Sequence, residues 1–226
     1  MAKLLVVADD FTGALDTGVQ FSSKGARTKV ITNPEYDFSW AEGLDVLVFD
    51  SETRHLPPEK ACEIVGGFVK RAASSFSSIY KKTDSGLRGN IGSEIAAAMD
   101  ALGLERAAFI PAFPKMNRVT RNGIHYIDGV PVAESVFGKD PFEPVKTSDV
   151  NAIISAQTDK KGIQVCDAET DSDMRAIAEK LGSGGLKLTA GCAGFAEVLA
   201  DVLGFDGECA KICSMPEKFF VICGSV

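Results

Sequence analysis

Short runs of β-branched and apolar residues alternate along the chain with longer stretches whose apolar positions recur at helical spacing. Residues 3–8 (KLLVVA), 27–32, 44–50, 77–82, 107–113, 162–167 and 186–190 read as strands. The stretches 12–24, about 58–75, 91–102, 147–157, 171–181 and 193–203 read as helices. Gly25 suits a helix C-cap, and Pro57-Pro58 suits a helix start. Continuous apolar strands separated by helices indicate a mostly parallel sheet covered on both faces, a Rossmann-like three-layer α/β fold. Residues 118–133 break the rhythm. Asn122-Gly123 and Asp128-Gly129 each sit between β-prone runs, which predicts an antiparallel hairpin excursion from the parallel core. A last apolar run, 219–223 (FFVIC), reads as a strand entering a turn at Gly224-Ser225.

Composition narrows the class. Of the 226 residues 45% are hydrophobic and 24% charged, ordinary for a globular protein. Lys and Arg number 24 against 31 Asp and Glu, a net charge of −7 that disfavours nucleic acid and anionic membranes as partners. The six cysteines form no C-x-x-C pair, and no signal-peptide pattern opens the chain, so a cytoplasmic location is expected.

In such a sheet, ligands bind beyond the carboxyl ends of the strands. Four strand-end segments carry candidate chemistry. Asp9-Asp10-Phe11-Thr12-Gly13 follows the first strand: one aspartate suits a helix cap, and the second is free to bind a hydroxyl or accept its proton. Lys82-Thr83-Asp84-Ser85-Gly86-Leu87-Arg88-Gly89-Asn90 gathers cations, hydroxyls and glycines before a helix, an arrangement suited to an anion. Arg118 follows Pro111-Ala112-Phe113-Pro114 and is weighed evenly between ligand and solvated edge. Glu52, Arg54 and His55 are read as a solvated loop, and Ala190–Phe195 as close packing. No G-x-x-x-x-G-K-[ST] or G-x-G-x-x-G motif provides a nucleotide site. A phosphatase using Asp9 or Asp10 is disfavoured, because adjacent aspartates lack the Asp-x-Asp spacing.

The blocks ADDFTGALDTG (8–18), KKTDSGLRGNIGSE (81–94), PAFP…NR…NG…DG (111–129), DP…P (140–144), LTAGCAGFAEVLA (188–200) and CGSV (223–226) resemble, in order, the signature blocks of the four-carbon acid sugar kinases, a family that includes threonate, erythronate and 3-oxo-tetronate kinases. The resemblance implies an N-terminal sugar-acid-binding domain, placed at 1–214, with 215–226 opening a C-terminal ATP-binding domain. It implies Asp10 (or Asp9) as the catalytic acid–base. Asp9, Thr12, Lys82, Asp84, Ser85, Arg88, Gly89, Asn90 and Arg118 would then form the substrate-binding rim for a small anionic sugar acid. ATP and Mg²⁺ would serve the complete enzyme, with neither expected on this chain alone. The alternative is a stand-alone sugar-acid binding or regulatory module without kinase activity. A homodimer through the Asn122 hairpin is left open. Two positions depart from the family pattern: Gly86 stands where threonine is usual, and Lys115-Met116-Asn117 stands where small residues and glycine are usual.

Overall fold

The structure is a computed structural model that describes residues 2–183, 187–205, 207 and 208. The expected strand at 219–223 and the proposed domain boundary at 214 lie outside those residues. In chain order the elements are β1 (Ala2–Ala8), α1 (Phe11–Ser22), β2 (Thr28–Ile31), β3 (Val46–Asp50), α2 (Pro58–Ala72), β4 (Phe76–Lys82), α3 (Ile91–Leu102) and β5 (Ala107–Ile110). They continue with β6 (Arg118–Arg121), β7 (Ile124–Ile127), β8 (Val130–Pro131), α4 (Val150–Gln157), β9 (Ile163–Val165), α5 (Asp171–Ser183), β10 (Leu188–Gly191) and α6 (Ala193–Leu203).

Seven strands form one parallel sheet in the order β2-β3-β1-β4-β10-β5-β9. Helices α1, α5 and α6 pack on one face and α2, α3 and α4 on the other. This is the expected mostly parallel three-layer architecture. Period-two alternation divides the core between the layers. Leu4, Val6, Ala8 and Tyr80 pack with Phe21, Phe195 and Met174 on the α1/α6 face. Leu5, Val7, Phe49 and Ile79 pack with Phe68, Ile95 and Met99 on the α2/α3 face. Phe49 and Phe68 stack with ring centroids 3.8 Å apart. The chain leaves β1 through α1 on one face and leaves the adjacent β4 through α3 on the other. A crevice therefore opens between the carboxyl ends of β1 and β4.

Both turn signals of the excursion hold. Asn122 and Gly123 (φ 51° and 74°) and Asp128 and Gly129 (φ 51° and 78°) take left-handed backbone, joining β6, β7 and β8 into a three-stranded antiparallel sheet. The excursion is tied back to the core by paired bonds between Thr120 and Ala168 and by His125 N–H donating to the Ser148 carbonyl. Helix boundaries move slightly. α1 ends at Ser22 with Ser23 as its cap, while Gly25 (φ 87°) makes the left-handed exit two residues on. β5 stops at Ile110, because Pro111 supplies no N–H to extend the ladder.

Candidate functional site

The strand ends bring most of the sequence-derived residues to the crevice between β1 and β4. Asp10 is the N-cap of α1: its Oδ1 accepts from Gly13 N–H at 2.9 Å. Asp9, one residue earlier, points to the α2/α3 side and is almost wholly buried. The pair therefore divides into one helix cap and one buried acid. Their shared partner is unexpected. Arg54 donates from Nε and Nη2 to Asp9 (2.8 and 3.0 Å) and from Nη1 to Asp10 (2.8 Å). Reading Arg54 as solvated is thus corrected: it is buried, because two carboxylates contributed by a distant loop neutralise it. His55, next in sequence, remains exposed and contacts Glu143.

Burial works against the Asp9 carboxylate. The fields of Lys81, Arg54 and Lys82 nonetheless hold it below the usual range, and it stays ionised. Asp50, at the end of β3, goes the other way. Burial first, with Glu52 and Asp10 adding negative charge, pushes its carboxyl up to about 6.

Adjacent lysines at the end of β4 separate by strand alternation. Lys81 points into the α2/α3 layer, where its Nζ meets Glu94 Oε2 at 2.7 Å and donates to the Lys82 carbonyl at 2.6 Å, wholly out of solvent. Lys82 shares the other face with Tyr80, whose hydroxyl donates to the Cys192 carbonyl at 2.6 Å. A Cβ placed on Gly13 would come 2.5 Å from Lys82 Nζ, so the lysine head lies against the first turn of α1.

The 83–90 loop is held in a special conformation. Leu87 (φ 65°) and Gly89 (φ 87°) are both left-handed, and a Cβ on Gly89 would press on Arg54 Cγ at 3.0 Å. Arg88 donates from Nε (2.7 Å) and Nη2 (3.3 Å) to Asp84 and from Nη1 to Asp140 (3.0 Å). Burial raises the Asp84 carboxyl, but the Arg88 hydrogen bonds and the fields of Arg54 and Arg88 prevail and bring it to about 2. Asn90 faces away from the crevice. Its Nδ2 donates to the carbonyls of Thr53 (3.0 Å) and Leu56 (2.8 Å), locking the Arg54 loop to the α3 start. Ser85 accepts from Arg118 Nη1, which brings the excursion's first strand to the crevice. Thr12, in the first turn of α1, is exposed.

Three residues that sequence reasoning passed over complete the site. His125 is fully buried on β7; its Nε2 lies 3.1 Å from the Ser85 carbonyl and its Nδ1 2.9 Å from Thr120 Oγ1. Burial lowers its pKa to about 4, with the Arg118 field adding and the Ser85 bond and Asp84 field opposing, so the neutral imidazole clamps the loop. Phe137 lies beneath the guanidiniums of Arg88 and Arg118, at 5.1 and 5.2 Å from its ring centroid. The ring also explains Gly86, since a Cβ there would lie 2.4 Å from it. Asp140, within the DP…P block, is the second anchor of Arg88. Lys115-Met116-Asn117 forms a short 3-10 turn ending in left-handed Asn117 (φ 52°), with Lys115 paired to Glu197.

Comparison with known proteins agrees with this architecture. The sugar-binding N-terminal domain family matches residues 4–163. The chain is 39% identical over 159 residues to a D-threonate kinase of Salmonella typhimurium, covering 70% of this chain and 37% of that protein. It is 32% identical over 161 residues to a D-erythronate kinase of Heliobacterium modesticaldum, again covering 70% and 37%. A crystal structure of a domain of unknown function from Bordetella bronchiseptica, a domain-swapped dimer with bound citrate, superposes with TM-score 0.82 at 30% identity, covering 88% of this chain and 56% of that one. The chain spans between about a third and three-fifths of the length of these relatives. Among the described residues, no helix is long and apolar enough to cross a membrane. Across residues 4–163, and with four-carbon acid sugar kinases as its named homologues, the chain belongs to the sugar-binding N-terminal domain family.

Proposed function

We propose that this chain supplies the acid-binding half of an ATP-dependent four-carbon acid sugar kinase, acting in the cytoplasm. The observation that supports the reading is the charged set at the ends of β1 and β4: Asp10 and Lys82 meet at Gly13, and the loop after β4 joins Asp84 to Arg88 and Ser85 to Arg118. Asp9, Thr12, Ser85, Gly89 and Asn90 complete the rim. Among them Gly89 and Asn90 work through the backbone that they hold in place.

A four-carbon hydroxy acid needs a cation for its carboxylate and acceptors for its hydroxyls. Lys82, Arg88 and Arg118 offer the first, and Asp84, Ser85 and Asp10 the second. Asp10 is the general base in this reading. Fixed by Gly13 N–H and Arg54, it orients the reacting hydroxyl and takes its proton as the phosphoryl group arrives. ATP and Mg²⁺ would supply that phosphoryl group from a C-terminal domain beginning near residue 215. The acids here fit poorly as metal ligands, because Asp9, Asp10 and Asp84 are each engaged by an arginine. No metal step is therefore assigned to them.

Calorimetric titration with D-threonate, D-erythronate and 3-oxo-tetronate tests the reading. Binding of one acid, weakened by Asp10→Asn and by Arg118→Ala, is expected. No heat from any of the three would refute the assignment. Phosphoryl transfer after a nucleotide-binding domain is added separates a kinase half from a stand-alone binding module.

A further inference from the structure

Three arginines gather near the crevice, and different chemistry holds them. Arg54 meets Asp9 and Asp10, and Arg88 meets Asp84 and Asp140. Arg118 meets no carboxylate among the described residues. Its Nη1 donates to Ser85 Oγ, and its Nε is buried without a hydrogen-bond partner. Its guanidinium carbon lies 5.2 Å from the centre of the Phe137 ring. A hydroxyl and a ring, neither of them charged, do for Arg118 what paired carboxylates do for the other two.

The chain fixes that ring from several sides. Phe137 N–H donates to Ser135 Oγ at 3.2 Å, and its carbonyl accepts from Val145 N–H at 3.0 Å. Gly138 lets the 136–139 turn close on Ala133, whose carbonyl a Cβ would overlap. Gly86 makes room for the ring itself. Unlike Gly89 it does not take left-handed backbone, so its missing side chain serves space and not conformation. The same short stretch also treats the two neighbouring arginines differently. Arg88 lies over the ring as well, at 5.1 Å, but Asp140 three residues on takes up its charge.

We propose that Phe137 is a positioning residue: its ring fixes Arg118 at the crevice while leaving the guanidinium charge free for an anionic group of the ligand. The face of an aromatic ring attracts a cation through its quadrupole and carries no net charge. A carboxylate in its place would hold the guanidinium and cancel it. This rests on the acid-binding reading above and adds the residue through which Arg118 is aimed.

Side-chain NMR of the whole chain tests the placement without any ligand. The Arg118 Nε–H signal is expected upfield in the ring current of Phe137, retained in Phe137→Tyr, and returned to the ordinary arginine range in Phe137→Leu. Calorimetry with D-threonate, D-erythronate and 3-oxo-tetronate tests the use of that placement. Phe137→Leu should weaken binding of the acid by about 3–20-fold, and Phe137→Tyr should stay within about 2-fold of wild type. In an Arg118→Ala background, Phe137→Leu should make no further difference. A loss of equal size in that background overturns the proposal, since the ring would then fill space or serve Arg88. An Arg118 signal unmoved by Phe137→Leu, or acid bound as tightly by Phe137→Leu as by wild type, overturns it too. No heat from wild type with any of the three acids would instead sink the acid-binding reading, and the Arg118 signal would then decide the proposal by itself.

Discussion

Replacing His125 by glutamine isolates the contribution of one proton to stability. The imidazole is fully buried and neutral, and its folded pKa, about 4, lies below the ordinary 6.5. Between those values the unfolded chain binds a proton that the folded chain refuses, so stability rises with pH. The contribution is complete above about pH 6.5 and is lost as pH falls towards 4. A shift of about 2.5 units at ~1.36 kcal/mol each gives an upper bound of ~3.4 kcal/mol, and about 2–3 is expected after relaxation of the site. Asp50 works in the opposite sense. Its folded pKa, about 6, is raised, so it stabilises at low pH and loses that contribution as pH rises from about 4 to 6. The wild-type profile between pH 4 and 6 is therefore expected to be shallow. The difference between wild type and His125→Gln should climb by ~1.4 kcal/mol per pH unit at its steepest. Urea unfolding followed by circular dichroism at half-unit steps from pH 4.5 to 7.5 measures it, and NMR titration of the imidazole gives the folded pKa directly. A difference constant within ~0.5 kcal/mol across that range would refute the reasoning.

Other expectations follow from the same geometry. Asp50→Asn should stabilise the protein at pH 7 by about 1–2 kcal/mol and give no gain at pH 4, read from paired urea curves. Arg54→Met should cost about 3–5 kcal/mol by leaving Asp9 buried and unpaired, and adding Asp9→Asn should return much of it; a loss under ~1 kcal/mol would show the pair to be incidental. Lys81→Met should be similarly costly, whereas Lys81→Met with Glu94→Leu should come back close to wild type in a thermal melt. Gly86→Ala should destabilise the loop by forcing a methyl onto the Phe137 ring, and Phe137→Ala should relieve it, with a coupling above ~1 kcal/mol in a double-mutant cycle.

What the sequence made legible was local. Asn122-Gly123 and Asp128-Gly129 name their turns because left-handed backbone is a property of the dipeptide itself. The start of α6 at Ala193 and the apolar strands follow from periodicity. That one of Asp9 and Asp10 caps α1 was readable from local rules, but the structure alone gives the cap to Asp10. Arg54 was not, because its burial depends on two carboxylates 44 and 45 positions away, and a loop arginine read alone defaults to solvent. His125 and Phe137 were hidden likewise: each reaches the crevice only because the antiparallel sheet folds back over the 83–90 loop. Asn90 was visible as a polar residue at a helix start, but its duty to three carbonyl-bearing neighbours could not be seen without the loop it ties down.

The pair Lys81 and Lys82 carries a consequence for how β4 can evolve. Two identical side chains occupy opposite environments only because the pleat turns each to a different side. Inserting or deleting one residue in β4 would leave the composition of that segment almost unchanged. A deletion would set Lys82 opposite Glu94 and leave the crevice without its cation, whereas an insertion would set Lys81 in the crevice and strand Glu94. A substitution at exposed Ser77 leaves this alternation intact, whereas a change in the strand's length does not. Libraries built on this fold should vary β4 by substitution and place their length changes in the segment between α2 and β4, upstream of the strand that sets the alternation.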